Sequence, residues 1–114
     1  MIAFAEGVQT LDVRCFGNTD LVEVIIPKSV HTIAISAFDG CKKLEKVTFV
    51  EGSRLREIDD HAFSECCSLE TIQLPDNLQV IGKYCFCGSG LTEIRVPKGV
   101  KEIQWGAFSA CYNL

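Results

Sequence analysis

Phenylalanine recurs along this chain at a nearly constant interval, in the order Phe16, Phe38, Phe63, Phe86 and Phe108. An apolar residue stands five positions before each one, and a leucine follows each one five or six positions later. These residues are Leu11, Ile33, Ile58, Ile81 and Ile103, and Leu21, Leu44, Leu69, Leu91 and Leu114. A unit of about 23 residues cannot bury an apolar face alone, so we expect successive units to stack into a solenoid.

Each unit has room for one short strand and one short turn. The first four leucines are followed by two apolar residues in alternation: Val24 and Ile26, Val47 and Phe49, Ile72 and Leu74, and Ile94 and Val96. A period of two predicts a strand with one buried face, and proline, found three times just after it, can end a strand. The small and polar residues around each phenylalanine predict a single helical or 3₁₀ turn and no long helix. The expected fold is therefore a right-handed solenoid with a parallel ladder of one short strand per repeat.

The longest uninterrupted example of the pattern runs from Leu69 to Phe86. It reads Leu-x-x-Ile-x-Leu-Pro, then Leu-x-x-Ile-Gly, then a small residue before phenylalanine. This string resembles the leucine-rich repeats of the BspA-like family, and the resemblance covers essentially the whole chain. It implies a leucine-rich-repeat fold and a surface-associated, adhesive or interaction protein without catalytic residues. We expect residues 1–114 to form a single solenoid segment of about five repeats, uncapped at both ends.

Charge and cysteine content narrow the function further. The net charge is −4 and the sequence pI is about 5.1, which opposes the basic surface that nucleic acid or an acidic membrane requires. Seven cysteines, an odd number, cannot all pair within one chain, so reduced thiols are expected. Free thiols and the absence of a signal-peptide pattern favour an intracellular chain, whereas the family resemblance favours the cell surface. The compartment therefore stays open.

The densest group of potential metal ligands or nucleophiles lies in the middle of the chain. It comprises His61, Cys66, Cys67, Cys85 and Cys87. The spacing does not fit a tetrahedral zinc site, and His61 with Asp59 or Asp60 does not match a catalytic motif. We therefore predict no catalytic residue, no metal and no cofactor. We interpret the cysteines that occupy repeat positions as small core residues, namely Cys15, Cys41, Cys66, Cys85 and Cys111. A thiol- or zinc-dependent enzyme is the least favoured alternative.

Without a predicted catalytic or metal site, the candidate functional residues are those on the exposed surface. If Val24 and Ile26 point inward, the alternate strand positions point outward, and we refer to them as the strand face: Glu23, Ile25, Lys46, Thr48, Thr71, Gln73, Glu93 and Arg95. Further candidate contacts are Ile35 and Trp105, and Glu51 and Arg54 in a two-residue insertion. The leading hypothesis is a module that binds a protein partner of unknown identity. The alternative is a structural component that stacks end to end within a larger assembly.

Overall fold

A computed structural model of the chain describes residue 2 and residues 4–114. Seven short strands follow in order: β1 (Thr10–Leu11), β2 (Glu23–Ile26), β3 (Thr32–Ile33), β4 (Lys46–Phe49), β5 (Glu57–Ile58), β6 (Val80–Ile81) and β7 (Glu102–Ile103). They form two parallel ladders, one in the order β1-β3-β5-β6-β7 and one that pairs β2 with β4. Each strand pairs with the equivalent strand of the next repeat, which confirms the predicted parallel solenoid. No helix among the described residues is long and apolar enough to cross a membrane.

The strands are distributed differently from the prediction of one strand per repeat. The segment that follows each leucine, predicted to be a strand, forms a paired strand in two repeats, as β2 and β4. In the next two repeats, at residues 71–74 and 93–96, the side chains still alternate between inside and outside, but the backbone is not paired in a ladder. The longer ladder instead runs through two-residue strands at the second apolar position of each repeat, with Leu11 beside Ile33, then Ile58, Ile81 and Ile103. Two residues are too short to show a period, so the sequence pattern did not predict this ladder.

The segments around the phenylalanines are chains of single turns, closed by hydrogen bonds three residues apart as in a 3₁₀ turn, and they do not extend into a helix. Within one repeat, the Ala37 amide donates to Ala34 and the Cys41 amide donates to Phe38, both at 3.1 Å and three residues apart. The amide of Phe38 between them donates instead to the carbonyl of Ala62 in the next repeat, at 2.8 Å. The same alternation of hydrogen bonds within and between repeats recurs along the chain. For example, the Phe63 amide donates to the carbonyl of Cys85 in the next repeat. Because every second amide is used between repeats, no continuous helix forms.

Each chain of turns also contains two residues with positive φ, between 55° and 77°, placed four positions apart. The first column consists of Arg14, Ser36, His61, Tyr84 and Gly106, and the second of Asn18, Gly40, Glu65, Gly88 and Ala110. Glycine and asparagine adopt this conformation readily, whereas most other residues do so at a cost. Hydrogen bonds between repeats hold the non-glycine residues of these columns in this strained conformation. One example is the bond that the His61 amide donates to the Lys83 carbonyl at 2.9 Å.

The repeated phenylalanines form a single stack through the core. Adjacent ring centroids lie 5.1 to 5.6 Å apart and the ring planes are within 18° of parallel. Phe38, Phe63 and Phe86 are completely buried, whereas Phe16 and Phe108 at the two ends are half-buried. Each aromatic contact contributes about 0.5–1.5 kcal/mol beyond the burial of its surface. The stack therefore links one repeat energetically to the next.

Candidate functional site

The outward side chains of the predicted strand segments form a continuous exposed face. Val24 and Ile26 are 1% and 0% exposed, so their alternate neighbours point to solvent. The pairing of β2 with β4 places Glu23 beside Lys46 and Ile25 beside Thr48. All eight residues of the strand face are exposed: Glu23, Ile25, Lys46, Thr48, Thr71, Gln73, Glu93 and Arg95. The face combines both signs of charge with hydrogen-bonding groups and one aliphatic side chain.

An open groove of about 710 Å³ crosses this face. Its walls are β4 on one side and residues 71–75 on the other, and Arg95 of the next repeat also lines it. Side chains close both ends: Ser68 Oγ donates to the Lys42 carbonyl at 2.6 Å, and Asn77 Nδ2 donates to the Ser53 carbonyl at 3.2 Å. Between these two contacts, no backbone hydrogen bond joins residues 46–50 to residues 70–75 in the part of the chain that the structure describes. The ladder is therefore interrupted at the groove.

The two-residue insertion lies at one end of the groove. Ser53 is buried and its Oγ accepts a hydrogen bond from the Leu55 amide at 3.2 Å, while the Arg54 amide donates to the Lys28 carbonyl at 3.0 Å. The insertion is therefore held against the solenoid, with the side chains of Glu51 and Arg54 exposed. Of these two, Glu51 lines the groove. The sequence pattern did not indicate the contact from Asn77 that anchors this loop.

Ile35 and Trp105 lie on one exposed column of the turns. Ile35 is 43% exposed and Trp105 is 74% exposed, but two repeats separate them, so they do not form one patch. The structure adds an aromatic row that we had not predicted. Trp105 packs edge-on against Tyr84 at 5.3 Å, and the Tyr84 ring stacks on His61 at 5.1 Å. Aligning the residues three positions after the isoleucine of each repeat would have placed His61 and Tyr84 next to each other.

The third residue after each phenylalanine has a role in hydrogen bonding as well as in packing. Cys41 Sγ donates to the Phe16 carbonyl at 2.9 Å, and Cys66 and Cys111 donate to the phenylalanine carbonyls of their preceding repeats at 3.3 and 3.0 Å. In the two repeats without this cysteine, Thr19 and Ser89 stand at the position, each within 3.5 Å of a neighbouring cysteine sulfur. The column is thus occupied throughout by small side chains that carry a hydrogen-bonding group.

The buried thiols are poorly suited to nucleophilic or metal chemistry. Burial is the main cause that raises the pKa of the Cys66 and Cys85 thiols well above the ordinary value. The thiolate is the reactive and metal-binding form, so these two groups remain protonated at neutral pH. All seven cysteines are free, and Cys15 and Cys67 are exposed. Cys15 is therefore not a core residue, which corrects the sequence interpretation for this position, whereas Cys67 lies outside the predicted core columns.

The acidic neighbours of His61 are engaged elsewhere. Asp59 Oδ1 accepts the Asp60 amide at 2.9 Å, and Asp60 Oδ1 accepts the Lys83 amide at 2.8 Å. Both carboxylates thus stabilise turns, whereas a catalytic dyad would require one of them to orient the imidazole. Among residues 2 and 4–114, no three histidine, cysteine or acidic side chains are grouped closely enough to hold a metal ion.

Two parallel ladders, a stack of phenylalanines and a repeat of about 23 residues define a leucine-rich-repeat solenoid. Residues 2–114 match six copies of the BspA type leucine rich repeat region, so the chain belongs to this family. Leucine-rich-repeat proteins of this kind generally act as binding modules, typically for other proteins, and not as catalysts.

Solved structures with the same fold come from several bacteria. A leucine-rich-repeat protein of T. pallidum shares 44% identity at a TM-score of 0.87, over 94% of this chain and 50% of its own. The pneumococcal vaccine antigen PcpA shares 31% identity at a TM-score of 0.77, over 81% of this chain and 23% of its own. A leucine-rich-repeat protein of Eubacterium ventriosum shares 25% identity at a TM-score of 0.84, over 96% of this chain and 29% of its own. The chain thus spans half or less of these relatives. No curated protein matches the sequence significantly.

Proposed function

We propose that this chain is a non-catalytic segment of a protein-binding solenoid whose partner contacts the strand face. The observation that carries the proposal is the open groove in that face, lined by Lys46, Thr48, Thr71, Gln73 and Arg95. Concave and accessible surfaces with a few placed polar groups are where solenoids engage their partners.

The charges of the strand face are available to a partner. Within the described residues, the ion pair found within 4.0 Å joins Lys43 to Asp20, and both side chains are largely exposed. Lys46 and Arg95 form no such pair there and stand on opposite sides of residues 71–75. Unpaired charges at the edge of an interface steer association and fix the register of the partner.

We also propose an adhesin-like role at a cell surface. The support is the family membership together with the description of PcpA as a vaccine antigen. The buried thiols of Cys41, Cys66 and Cys85 are compatible with that setting because burial protects them from exchange, whereas Cys15 and Cys67 are exposed.

The test reverses charge on the strand face. A partner is first selected by probing a protein array with the wild-type chain, and its affinity is measured by surface plasmon resonance. We expect the double variant Lys46→Glu and Arg95→Glu to weaken binding at least tenfold, since both cations contact the partner. The matched control reverses Arg56 and Lys101, exposed cations beside the five-stranded ladder, and is expected to change affinity less than threefold. Equal losses in both variants, or none in the first, would remove the strand face as the binding surface.

A second candidate function is structural, through stacking of repeats at the end of the ladder. Ile103 in β7 is 50% exposed, whereas Ile33, Ile58 and Ile81 of the same column are completely buried. Within the described residues β7 pairs with β6 alone, and this candidate function places a strand of a second copy on its other edge. Self-association of the chain, measured by sedimentation velocity, tests this candidate function.

A further inference from the structure

Two neighbouring repeats meet on the strand side of the solenoid without backbone hydrogen bonds. We refer to this junction as the seam; it lies between residues 42–53 and residues 67–77, and no backbone hydrogen bond crosses it within the described residues. At the preceding junction the Glu45 amide donates to the previous repeat at 2.7 Å, and at the following junction the Thr92 amide does so at 2.9 Å. The seam has no counterpart of either bond.

The backbone groups that face the seam are unpaired. The Lys46 amide donates to the first repeat at 3.3 Å, and in a parallel ladder alternate residues direct both backbone groups to the same neighbour. The N–H groups of Val47 and Phe49 therefore point across the seam, where neither donates to another described residue. The amides of residues 71–74 on the other side also have no acceptor in that part of the chain. Two adjacent strand edges thus lie side by side without forming a ladder.

The turn side of the same two repeats is continuously bonded. β5 pairs with β6, and the Gly82 amide donates to the Ile58 carbonyl at 2.8 Å. The Phe63 amide donates to the next repeat at 2.8 Å, and its ring stacks on Phe86 at a centroid distance of 5.5 Å. These contacts fix the spacing of the two repeats on the turn side, whereas on the strand side the backbone does not.

Side chains alone hydrogen-bond across the seam in the described part of the chain, and they do so at its two ends. Ser68 Oγ donates to the Lys42 carbonyl at 2.6 Å, and Cys67 Sγ donates to the same carbonyl at 3.7 Å. At the other end, Asn77 Nδ2 donates to the Ser53 carbonyl at 3.2 Å. These bonds join neutral groups and none is fully buried, so together they hold the repeats less firmly than a continuous ladder does.

The apolar side chains beneath the seam are less completely buried than those beneath the paired strands. Val24 and Ile26 of β2 are 1% and 0% exposed, whereas Ile72 and Leu74 are 7% and 4% exposed. Phe49, in the same inward column as Ile26 and Leu74, is only half-buried. Few bonds and incomplete burial are the features of a region that opens at low free-energy cost.

We infer that the seam is a hinge, at which the strand sides of two repeats separate and close again about their bonded turn sides. The side chains of Ser68 and Asn77 act as latches that favour the closed state. Opening moves Lys46 and Thr48 away from Gln73, so the hinge sets the shape of the strand face. The inference concerns the free chain and holds whether or not a partner binds that face.

Methyl relaxation-dispersion NMR on the free protein tests the hinge, because hinge motions occur in microseconds to milliseconds and this method detects exchange in that range. We expect dispersion at the methyl groups beneath the seam, since their surroundings differ between the closed and the open state. These methyl groups belong to Val47, Ile72 and Leu74. We expect flat profiles on the continuously bonded ladder, at Ile33, Ile58 and Ile81.

Removing the latches should favour the open state. The double variant Ser68→Ala with Asn77→Ala deletes a hydrogen bond at each end of the seam, and we expect the population of the open state to rise about threefold or more. The matched control is Ser29→Ala, which deletes the bond from Ser29 Oγ to the Val8 carbonyl at 2.6 Å, at a different junction. This control should leave the dispersion at the seam unchanged.

Amide hydrogen exchange separates a hinge from the unfolding of a whole repeat. In the double variant we expect the amides of Asp59, Phe63 and Gly82, which bond between repeats on the turn side, to stay as protected as in the wild type. Loss of that protection would mean that the repeats separate completely, and it would overturn the hinge. Flat profiles at the seam in both proteins, or equal dispersion at Ile33, Ile58 and Ile81, would overturn it as well.

Discussion

At the scale of single residues, Cys85 shows how a repeat position tolerates a substitution and acquires a new property. Its equivalents in the neighbouring repeats, Ala62 and Ala107, are buried small residues, and Cys85 is completely buried as well. The thiol adds one heavy atom to a position that is filled by a methyl group elsewhere. Burial raises the pKa of the Cys85 thiol well above its ordinary value near 9.0.

This shift makes stability depend on pH in the alkaline range. Below pH 9 the thiol is protonated in both the folded and the unfolded chain, so its contribution to stability is fully present. Above pH 9 the unfolded chain loses this proton while the folded chain retains it, and the free energy of unfolding falls by about 1.4 kcal/mol per pH unit for each such thiol. We expect Cys85→Ala to lose stability less steeply than wild type in urea denaturation between pH 8 and 10 under reducing conditions. Equal slopes would show that the Cys85 proton is lost with similar ease in the folded protein.

At the scale of an element, the stack of phenylalanines is the central support of the fold. Phe63 lies between Phe38 and Phe86 at 5.1 and 5.5 Å and is completely buried. Phe108 contacts Phe86 in the same geometry but is half-buried. Removing a ring from the middle leaves a cavity between two repeats, whereas removing the terminal ring leaves a space that is open to solvent.

We expect Phe63→Ala to lower the free energy of unfolding by about 3–5 kcal/mol, which is a large part of the roughly 5–15 kcal/mol that stabilises a typical domain. Phe108→Ala, the matched control, should cost clearly less because part of that ring is already exposed. Chemical denaturation followed by circular dichroism measures both. A loss below about 1 kcal/mol for Phe63→Ala would contradict a continuous core stack.

At the scale of the whole molecule, the last described strand of the five-stranded ladder, β7, differs from the strands in the middle. The edge of β7 and the exposed side chain of Ile103 offer the same contacts that join β5 to β6 inside the solenoid. If stacking occurs through this end, sedimentation velocity should show an apparent mass that rises with protein concentration. Ile103→Lys should abolish that rise, whereas Ile25→Lys, at a residue 40% exposed on the strand face, should leave it unchanged. A monomer at all concentrations would argue against the structural function.

The sequence alone determined which side chains point inward. The spacing of Phe63, Leu69, Ile72 and Leu74 requires only local geometry, because alternation in a strand and the length of one repeat place these residues on the inner side whatever the backbone bonds to. The same alternation placed the residues of the strand face in solvent. For this reason the solenoid, its parallel direction and the candidate surface could be predicted from periodicity.

The tertiary structure decided where the backbone hydrogen bonds go. Phe38 donates to the next repeat and not within a helix, and Gly82 is required because a Cβ there would lie 2.6 Å from the backbone of Asp59 and Asp60. The interruption of the ladder beside β4, and hence the groove, arises in the same way. The choice of partner for each amide depends on the register and separation of stacked repeats, and these are set by contacts between residues more than 20 positions apart that a local pattern does not encode.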